Sequence, residues 1–437
     1  MTDFNIKKIA VLGLGIEGKD AINFLLGHGA RVTLFDRKED KEMDFSGIEK
    51  DKIEVITGQN YLAGGLTGFD FIVRSPGVYR YNSVILEAEK SGVKVTSAIK
   101  IFFDECPGKI IGVTGTKGKG TTSTLIYEIL KNAGKVVYLS GNIGKPYLEF
   151  LPKLTKDGFI VMELSSFQLI DLTRSPHIAV VLNITIDHLD WHKDREEYVT
   201  AKRSIVSHQN PGDFALLNEE YETPKSFANY AVGKVVFFSK EKLDPKFKEK
   251  LLLRGEHNLE NIAAAVAAAK IVGVGEEEIL KTVRSFKGLE HRLELVGEVD
   301  GVTFYNDSFA TGPQPTIAAI NSFAEPETLI LGGSDKGLDY SELGKTISKR
   351  NNVKNVILIG QIRNLIKKAL DSTDFKGKIY DLGTGSMSEI VNKALDVSSK
   401  GGVVVLSPAA ASFDMFKDYK DRGNQFRKAV QSLRDDK

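Results

Sequence analysis

Three α/β domains in series are predicted by three observations. An apolar strand runs into Gly13-x-Gly15-x-x-Gly18 and a helix, and a second strand closes at Asp36. A later strand, containing Ile110, Ile111 and Val113, runs into another glycine-rich turn and helix. From about residue 295, four short apolar strands alternate with helical segments to the end. Strand–turn–helix repeated in this way builds open, mostly parallel sheets. The expected division is 1–104, 105–292 and 293–437, the first and last domains Rossmann-like and the central one of the P-loop ATPase type.

Composition agrees with that division. At 437 residues the chain is too long for one core, and about 150 residues per domain suggests two or three. The net charge of +1 favours neither nucleic acid nor an anionic membrane as the main partner. The single cysteine, Cys106, rules out an intramolecular disulfide and fits a reducing compartment. The opening MTDFNIKKIAVLGLG lacks the basic and long apolar regions of a leader, so Ile9–Ile16 is expected to be a strand. No apolar run reaches the roughly 18 residues of a membrane span. The expectation is a cytoplasmic, monomeric protein acting on small molecules.

The central motif is Lys109–Thr124, KIIGVTGTKGKGTTST. Glycines there let backbone N–H groups point at an anion, and the following helix adds its N-terminal dipole. Lys119 would lie against β/γ-phosphates. Two positions depart from G-x-x-x-x-G-K-[ST]. Val113 stands where the first glycine belongs, and Gly120 follows the lysine, so Thr121 or Thr122 would have to supply a metal hydroxyl.

Upstream, Gly13–Gly18 with Asp36 forms a dinucleotide-binding fingerprint, for which NAD, another nucleotide, or packing alone are the readings. FDFIVRSPGV is a strand ending in Ser75-Pro76-Gly77, either a ligand edge or a plain turn, and SGVKVTSAIKIFF is strand-like. Pro107-Gly108 marks the first boundary. Downstream, Thr121–Asn132 reads as an amphipathic helix stopped at Gly134, and KVVYLSGNIG as strand and turn. FIVMELSSFQL ends a strand at Glu163, and Ile178–Ile184 precedes Asp187, His188 and Asp190. Glu196–Ser207 is a helix carrying Lys202, by default a solvated charge. GEHNLENIAAAVAAAKIVG is an Ala-rich helix with Asn258 and Asn261 in its first turn, by default caps.

A carboxylate and an imidazole in the domain of a phosphate loop suggest a divalent ion whose shell phosphates complete, as Mg²⁺ prefers. His188 and His192 are spaced for zinc on a helix, but no Glu-x-x-His or cysteine set supports it. The residues alone thus reach an ATP-dependent, Mg²⁺-using enzyme with two further nucleotide-binding-like domains.

Taken together and in order, GLGIEGKDA, SPGV, GVTGTKGKGTT, GNIG, ELSSFQL, LNITIDHLD, GEHNLENIAAA, GLEHRLE, YNDSFAT, LGGSDKG and LSPAAASFDMFKDYKDRGNQF resemble the Mur ligase family, within it most closely the branch that adds D-glutamate. The resemblance spans nearly the whole chain. It implies UDP-binding, ATP-binding and amino-acid-binding domains, and so moves the first fingerprint from NAD to a UDP-linked substrate. It implies ATP-driven amide formation: phosphorylation of the carboxylate of UDP-N-acetylmuramoyl-L-alanine, then attack on the acyl phosphate by the amine of D-glutamate, in peptidoglycan precursor synthesis.

The same resemblance implies residue roles. Gly15, Ile16, Glu17, Asp36, Arg37, Ser75, Gly77, Asn142 and His188 would meet the UDP substrate. Gly115, Thr116, Lys117, Gly118, Lys119, Gly120, Thr121, Asn258, Asn261, Arg292 and Asp307 would meet ATP, the last two as domains close. Thr121, Glu163, His188 and a carbamylated Lys202 would hold Mg²⁺ at two sites, and Lys119, Glu163, His188 and Lys202 would be the catalytic set. Thr311, Lys336, Ser412 and Tyr419 would hold D-glutamate, a sensible donor set for carboxylates.

Lys117, Gly120, Phe309, Gly312 and Tyr419 depart from the family's usual residues at their positions. A related ligase with another amino acid or a folate acceptor, an NAD-dependent oxidoreductase, and a nucleotide switch are the competing readings. The oxidoreductase leaves Lys119, Glu163 and Lys202 without a role.

Overall fold

In the computed structural model, residues 2–142, 146–185 and 187–435 are described. Ile143 and Gly144 of the GNIG segment, and Ile186 of LNITIDHLD, lie outside the described residues. The chain forms two compact units, residues 1–244 with 260–282 and residues 245–259 with 283–437.

The first unit holds two sheets. Strands β1 (Lys8–Leu12), β2 (Arg31–Asp36), β3 (Ile53–Thr57), β4 (Phe71–Arg74) and β5 (Lys94–Thr96) make a five-stranded sheet in the order β3-β2-β1-β4-β5. All its pairings are parallel. The order reverses between β1 and β4, and open α/β sheets seat ligands at the carboxyl ends of such a pair. The turn after β1 carries Gly13–Gly18, and the turn after β4 carries Ser75–Gly77.

The second sheet has β6 (Lys109–Thr114), β7 (Val137–Gly141), β8 (Phe159–Glu163), β9 (Ile178–Val181), β10 (Phe214–Asn218) and β11 (Lys234–Phe238) in the order β11-β10-β9-β6-β8-β7, again all parallel. Its central strands are apolar on both faces, as parallel strands covered on both sides are, so Ile110, Ile111, Val113, Val161, Val180 and Val181 are all buried. β6 lies between β8 and β9. Glu163 pairs in register with Val113, and Val181 with Thr114. The phosphate loop, Glu163 and the His188 segment therefore leave three adjacent strands at one sheet edge.

The second unit holds β12 (Glu294–Val299), β13 (Val302–Asn306), β14 (Glu327–Gly332), β15 (Val353–Ile359), β16 (Lys378–Gly383) and β17 (Val403–Leu406) in the order β12-β13-β17-β14-β15-β16. Only β12 is antiparallel, hairpinned to β13 across Asp300-Gly301. Thr311 follows β13, Lys336 follows β14 and Ser412 follows β17, so neighbouring strands deliver all three to one edge. An isolated bridge joins Ser334 and Ala411.

Three local expectations change. The expected strand Ile9–Ile16 ends at Leu12, because Gly13, at φ +90°, turns the chain and Ile16 begins a helix. The strand-like SGVKVTSAIKIFF is β5 followed by the helix Ala98–Glu105. The hydroxyl of Ser97 caps that helix at the Lys100 N–H, and a buried helix face looks as apolar as a strand. The stretch Ile178–Ile184 leaves the ladder after Val181, although Leu182 and Ile184 stay buried.

Candidate active site

The phosphate loop joins β6 to the helix Lys119–Asn132. Gly118 occupies the N-cap position in the left-handed region, φ +85°. The loop is tied from below. Thr116 N–H donates to the Asn183 carbonyl at 2.7 Å, and Lys117 N–H to Asn183 Oδ1 at 3.0 Å. The Thr116 hydroxyl lies 3.0 Å from the Tyr198 hydroxyl and accepts from Thr185 N–H at 2.9 Å. Lys119 Nζ folds back on the loop, donating to the carbonyls of Gly115 at 3.1 Å and Thr116 at 3.0 Å.

Lys202 departs from its default reading as a solvated charge. It is 2% exposed. Its ammonium donates to Gly115 O at 3.0 Å and Thr114 Oγ1 at 3.4 Å and lies 4.8 Å from the centroid of the Tyr198 ring. Burial holds its pKa well below the ordinary lysine value, and the nearby Lys119 charge pushes the same way, while Asp187 and Glu163 pull against them. One buried amine thus feels the charges of the loop lysine and of two carboxylates.

Glu163 is half-buried at the end of β8. His188 is exposed, at φ +55°, a conformation that side chains other than glycine rarely adopt. Its ring packs edge-on against Phe167, centroids 4.8 Å apart, and its Nε2 lies 3.5 Å from Asp187 Oδ2. Asn261, read from sequence as a cap, instead accepts from Thr122 Oγ1 at 3.2 Å. Asn258 donates to Arg254 O at 2.6 Å. Among the described residues no group of three or more His, Cys, Asp and Glu side chains is placed to hold a metal by itself.

At the first sheet, Asp36 ties down the glycine turn: Oδ2 accepts from Leu14 N–H at 2.7 Å and Oδ1 from Lys38 N–H at 2.9 Å. Gly15, Ile16, Arg37 and Gly77 are exposed, as is Asn142. The Ser75 hydroxyl donates to Gly13 O at 2.8 Å, linking the two ligand-edge turns. Glu17 faces the second sheet, accepting from Gln168 Nε2 at 2.6 Å and from the Tyr147 hydroxyl. Burial pushes its carboxyl up to about 6.

In the second unit, Lys336 is exposed, Thr311 and Tyr419 are half-buried, and Ser412 is fully buried. Asp307 is buried, accepting from Ser407 Oγ at 2.7 Å and Leu293 N–H at 3.2 Å, and burial raises its pKa to about 7. The Arg292 guanidinium lies 4.0 Å over the Phe309 ring, which meets Tyr419 edge-on at 5.0 Å.

Sequence reasoning overlooked Asn183 and Tyr198. Tyr198 lies four residues before Lys202, on the same helix face, and that spacing was the available signal.

Fold and site define a nucleotide-binding α/β protein built around a phosphate loop backed by a buried second lysine. Comparison with known proteins narrows this. Residues 7–97 match the family described as Mur ligase MurD-like, N-terminal domain, residues 113–250 the Mur ligase middle domain, and residues 291–410 the Mur ligase, glutamate ligase domain. A UDP-N-acetylmuramoylalanine--D-glutamate ligase of Acetivibrio thermocellus is 41% identical, covering 98% of this chain and 97% of that protein. One of Clostridium kluyveri is 39% identical over the same shares. The chain belongs to the Mur ligase family. Among solved structures, UDP-N-acetylmuramate-alanine ligase MurC of Thermotoga maritima superposes with a TM-score of 0.58 at 18% identity, covering 98% of this chain and 99% of that one. MurF ligase of the same organism in complex with ADP gives 0.57 at 18%, covering 99% and 100%. These two share the fold.

Proposed function

We propose that this chain joins D-glutamate to UDP-N-acetylmuramoyl-L-alanine with consumption of ATP. The observation that carries the reading is end-to-end similarity, at 41% identity, to a ligase named for that reaction. A substrate carboxylate oxygen attacks the γ-phosphorus of ATP and ADP leaves. The amine nitrogen of D-glutamate attacks the acyl carbon and gives up a proton to solvent, and the tetrahedral adduct collapses to amide as phosphate leaves with the electron pair of the C–O bond.

The chemical difficulty is two anions meeting. Lys119, beside the loop carbonyls, is the cation that offsets it and stabilises charge on the transferring group, with the N–H groups of Gly118–Thr121 around the phosphates and Gly115, Thr116 and Lys117 shaping the loop. Asn258, Asn261, Arg292 and Asp307 serve the nucleotide. Gly15, Ile16, Glu17, Asp36, Arg37, Ser75, Gly77, Asn142 and His188 serve the UDP substrate, Glu17 and Asp36 by bracing the turn through the bonds described above. Thr311, Lys336, Ser412 and Tyr419 serve D-glutamate.

The donor set suits Mg²⁺. Glu163, His188 and the Thr121 hydroxyl offer few protein ligands, as that ion prefers where phosphates and water complete its shell. The Thr122 hydroxyl is fully buried and donates to Asn261, which favours Thr121. Bound there at two sites, Mg²⁺ would supply charge neutralisation at the phosphates. Lys202 joins the set as a carbamate: its depressed pKa favours the neutral amine, the form that adds CO2, and the resulting anion would face Lys119 rather than repel it. No helix among the described residues is long and apolar enough to cross a membrane. The reading includes a cytoplasmic monomer with domains divided near residues 104 and 292.

The test is phosphate release with ATP, UDP-N-acetylmuramoyl-L-alanine and single amino acids. Release should require D-glutamate, and release without it sinks the assignment.

A further inference from the structure

Arg74, the last residue of β4, is 1% exposed, and its donors reach two segments of the first unit. On the near side, Nη1 donates to the carbonyls of Ser75 at 3.1 Å, Pro76 at 3.3 Å and Val78 at 2.6 Å. On the far side, Nη2 donates to Phe167 O at 2.6 Å, and Nε and Nη2 both meet Asp171 Oδ2, Nε at 3.0 Å. The other oxygen of Asp171 faces Arg80 Nε at 3.3 Å. The contact continues past Phe167, whose ring stacks on His192 at 5.6 Å and meets His188 edge-on. Ser75 carries the Gly13 turn with it through the bond described above.

A buried ion pair is weak evidence of stabilisation, since apolar groups of equal volume do as well. An apolar side chain could not, however, hold four carbonyls from two sheets in one geometry. The planar five-donor fork of arginine does this, and lysine cannot replace it.

We propose that Arg74 is a positioning residue. It clamps the Ser75–Val78 turn of the first sheet to the Phe167–Asp171 segment of the second, and so sets where the UDP-linked substrate presents its carboxylate relative to the phosphate loop. Small misplacements of a reacting group cost large factors in rate. The kinetic part rests on the proposed UDP-substrate reading; the clamp itself does not.

The test uses R74K and D171N in the full chain, read by amide hydrogen exchange without substrates and by steady-state kinetics. R74K should raise exchange at residues 75–78 and 166–171 together, at least tenfold. It should lower kcat/KM for UDP-N-acetylmuramoyl-L-alanine at least tenfold, through kcat, KM or both, and leave KM for ATP and for D-glutamate within twofold. D171N, which leaves the carbonyl bonds in place, should show the same pattern at smaller size, and it decides the matter on both readouts if R74K does not fold. Exchange that rises in one segment only, or in neither, overturns the clamp. A uniform change in all three KM values, or an unchanged kcat/KM for UDP-N-acetylmuramoyl-L-alanine, overturns the positioning role. Linked exchange in a wild-type enzyme that does not use the UDP substrate would support the clamp and reject the substrate assignment instead.

Discussion

Lys119 and Lys202 donate to the same oxygen, the carbonyl of Gly115, at 3.1 and 3.0 Å. Two amines converging on one neutral acceptor disfavour a second positive charge there. This explains why burial and Lys119 together depress the Lys202 pKa. The arrangement makes sense once anionic groups enter between the two.

Removing that amine should therefore stabilise the ligand-free fold. In Lys202→Met the Gly115 carbonyl keeps Lys119 and the Thr114 hydroxyl keeps its 2.9 Å bond to Leu164 O, so no buried acceptor is orphaned. Met fills a similar shape without carrying a charge into the interior, so the variant is spared the desolvation that disfavours a protonated Lys202. The folded pKa is lowered, so between it and the unfolded value near ~10.4 the unfolded chain binds the extra proton. Wild-type stability then rises with pH across that window, and the advantage of the variant is largest near neutrality and shrinks as pH climbs. Urea unfolding in CO2-free buffer at pH 7 and pH 9 checks this, and a variant less stable than wild type at pH 7 contradicts it.

Activity should move the opposite way. Lys202→Ala loses the carbamate proposed for the site, and short carboxylic acids, which place an anion in the vacated space, should restore part of the rate. Phosphate release measured with and without added acetate or formate decides. Absence of rescue at any concentration counts against the carbamate.

The loop's own geometry gives a third expectation. A Cβ on Gly118 would sit 2.2 Å from Asn261 Oδ1 and 3.2 Å from Leu182 Cδ1, at a φ of +85°. Gly118→Ala should cost about 1–2 kcal/mol in backbone strain and displace Asn261 from Thr122. KM for ATP should rise about tenfold or more while the UDP-substrate KM holds. An unchanged ATP KM would show that Asn261 and the loop do not cooperate in binding.

Much of this site was legible in the sequence because its signals are local. Glycines, a lysine and hydroxyls following an apolar run place the phosphate loop, and Glu163 and His188 each follow an apolar stretch. What local pattern does not carry is pairing. Nothing near β6 says that β8 and β9 flank it, yet that order is what brings the Glu163 and His188 segments to the sheet edge that carries the loop. Arg74 and Asp171 are 97 positions apart, and each alone reads as a surface charge. Lys202 was misread for the same reason. Helical spacing shows which face a residue shares, not that the face packs under a loop some 90 residues upstream, the separation being 87 to Gly115. β10 and β11 went unread although they are no shorter than β8 or β9, and no glycine-rich turn follows them to mark their ends.

Asp307 supplies a pH signature for the second unit. Burial first, partly offset by the Ser407 and Leu293 donors, lifts its carboxyl to about 7. A carboxyl raised in the folded state adds stability that is complete below its unfolded pKa, near ~4, and is lost as pH rises through 7. Asp307→Asn stays neutral throughout, so its unfolding midpoint should fall less than that of wild type between pH 5 and 7.5, by on the order of a few degrees. Parallel pH profiles would show that Asp307 is ionised throughout. Glu17 and Asp20, each raised to about 6 in the first unit, slope the same way in both proteins and cancel in the comparison.

Phe309 is the departure from the family pattern with the clearest structural use. Its ring lies beneath the Arg292 guanidinium at 4.0 Å and meets Tyr419 edge-on at 5.0 Å, so one side chain contacts a residue assigned to the nucleotide and one assigned to D-glutamate. The ring is 40% exposed, which keeps each contact at the weak end, about 0.5–1 kcal/mol for the cation over the ring and a similar amount for the aromatic pair. Phe309→Ala should therefore weaken the two ligands separately, each by about two- to fivefold, and cost about 1–2 kcal/mol of stability because the buried share of the ring is lost. Phe309→Tyr keeps both ring contacts and should bind as wild type does. Calorimetric titration of ATP and of D-glutamate against the three proteins tests this directly. A loss confined to ATP would assign the ring to Arg292 alone, and no loss for either ligand would mean that neither contact holds its partner in the bound state.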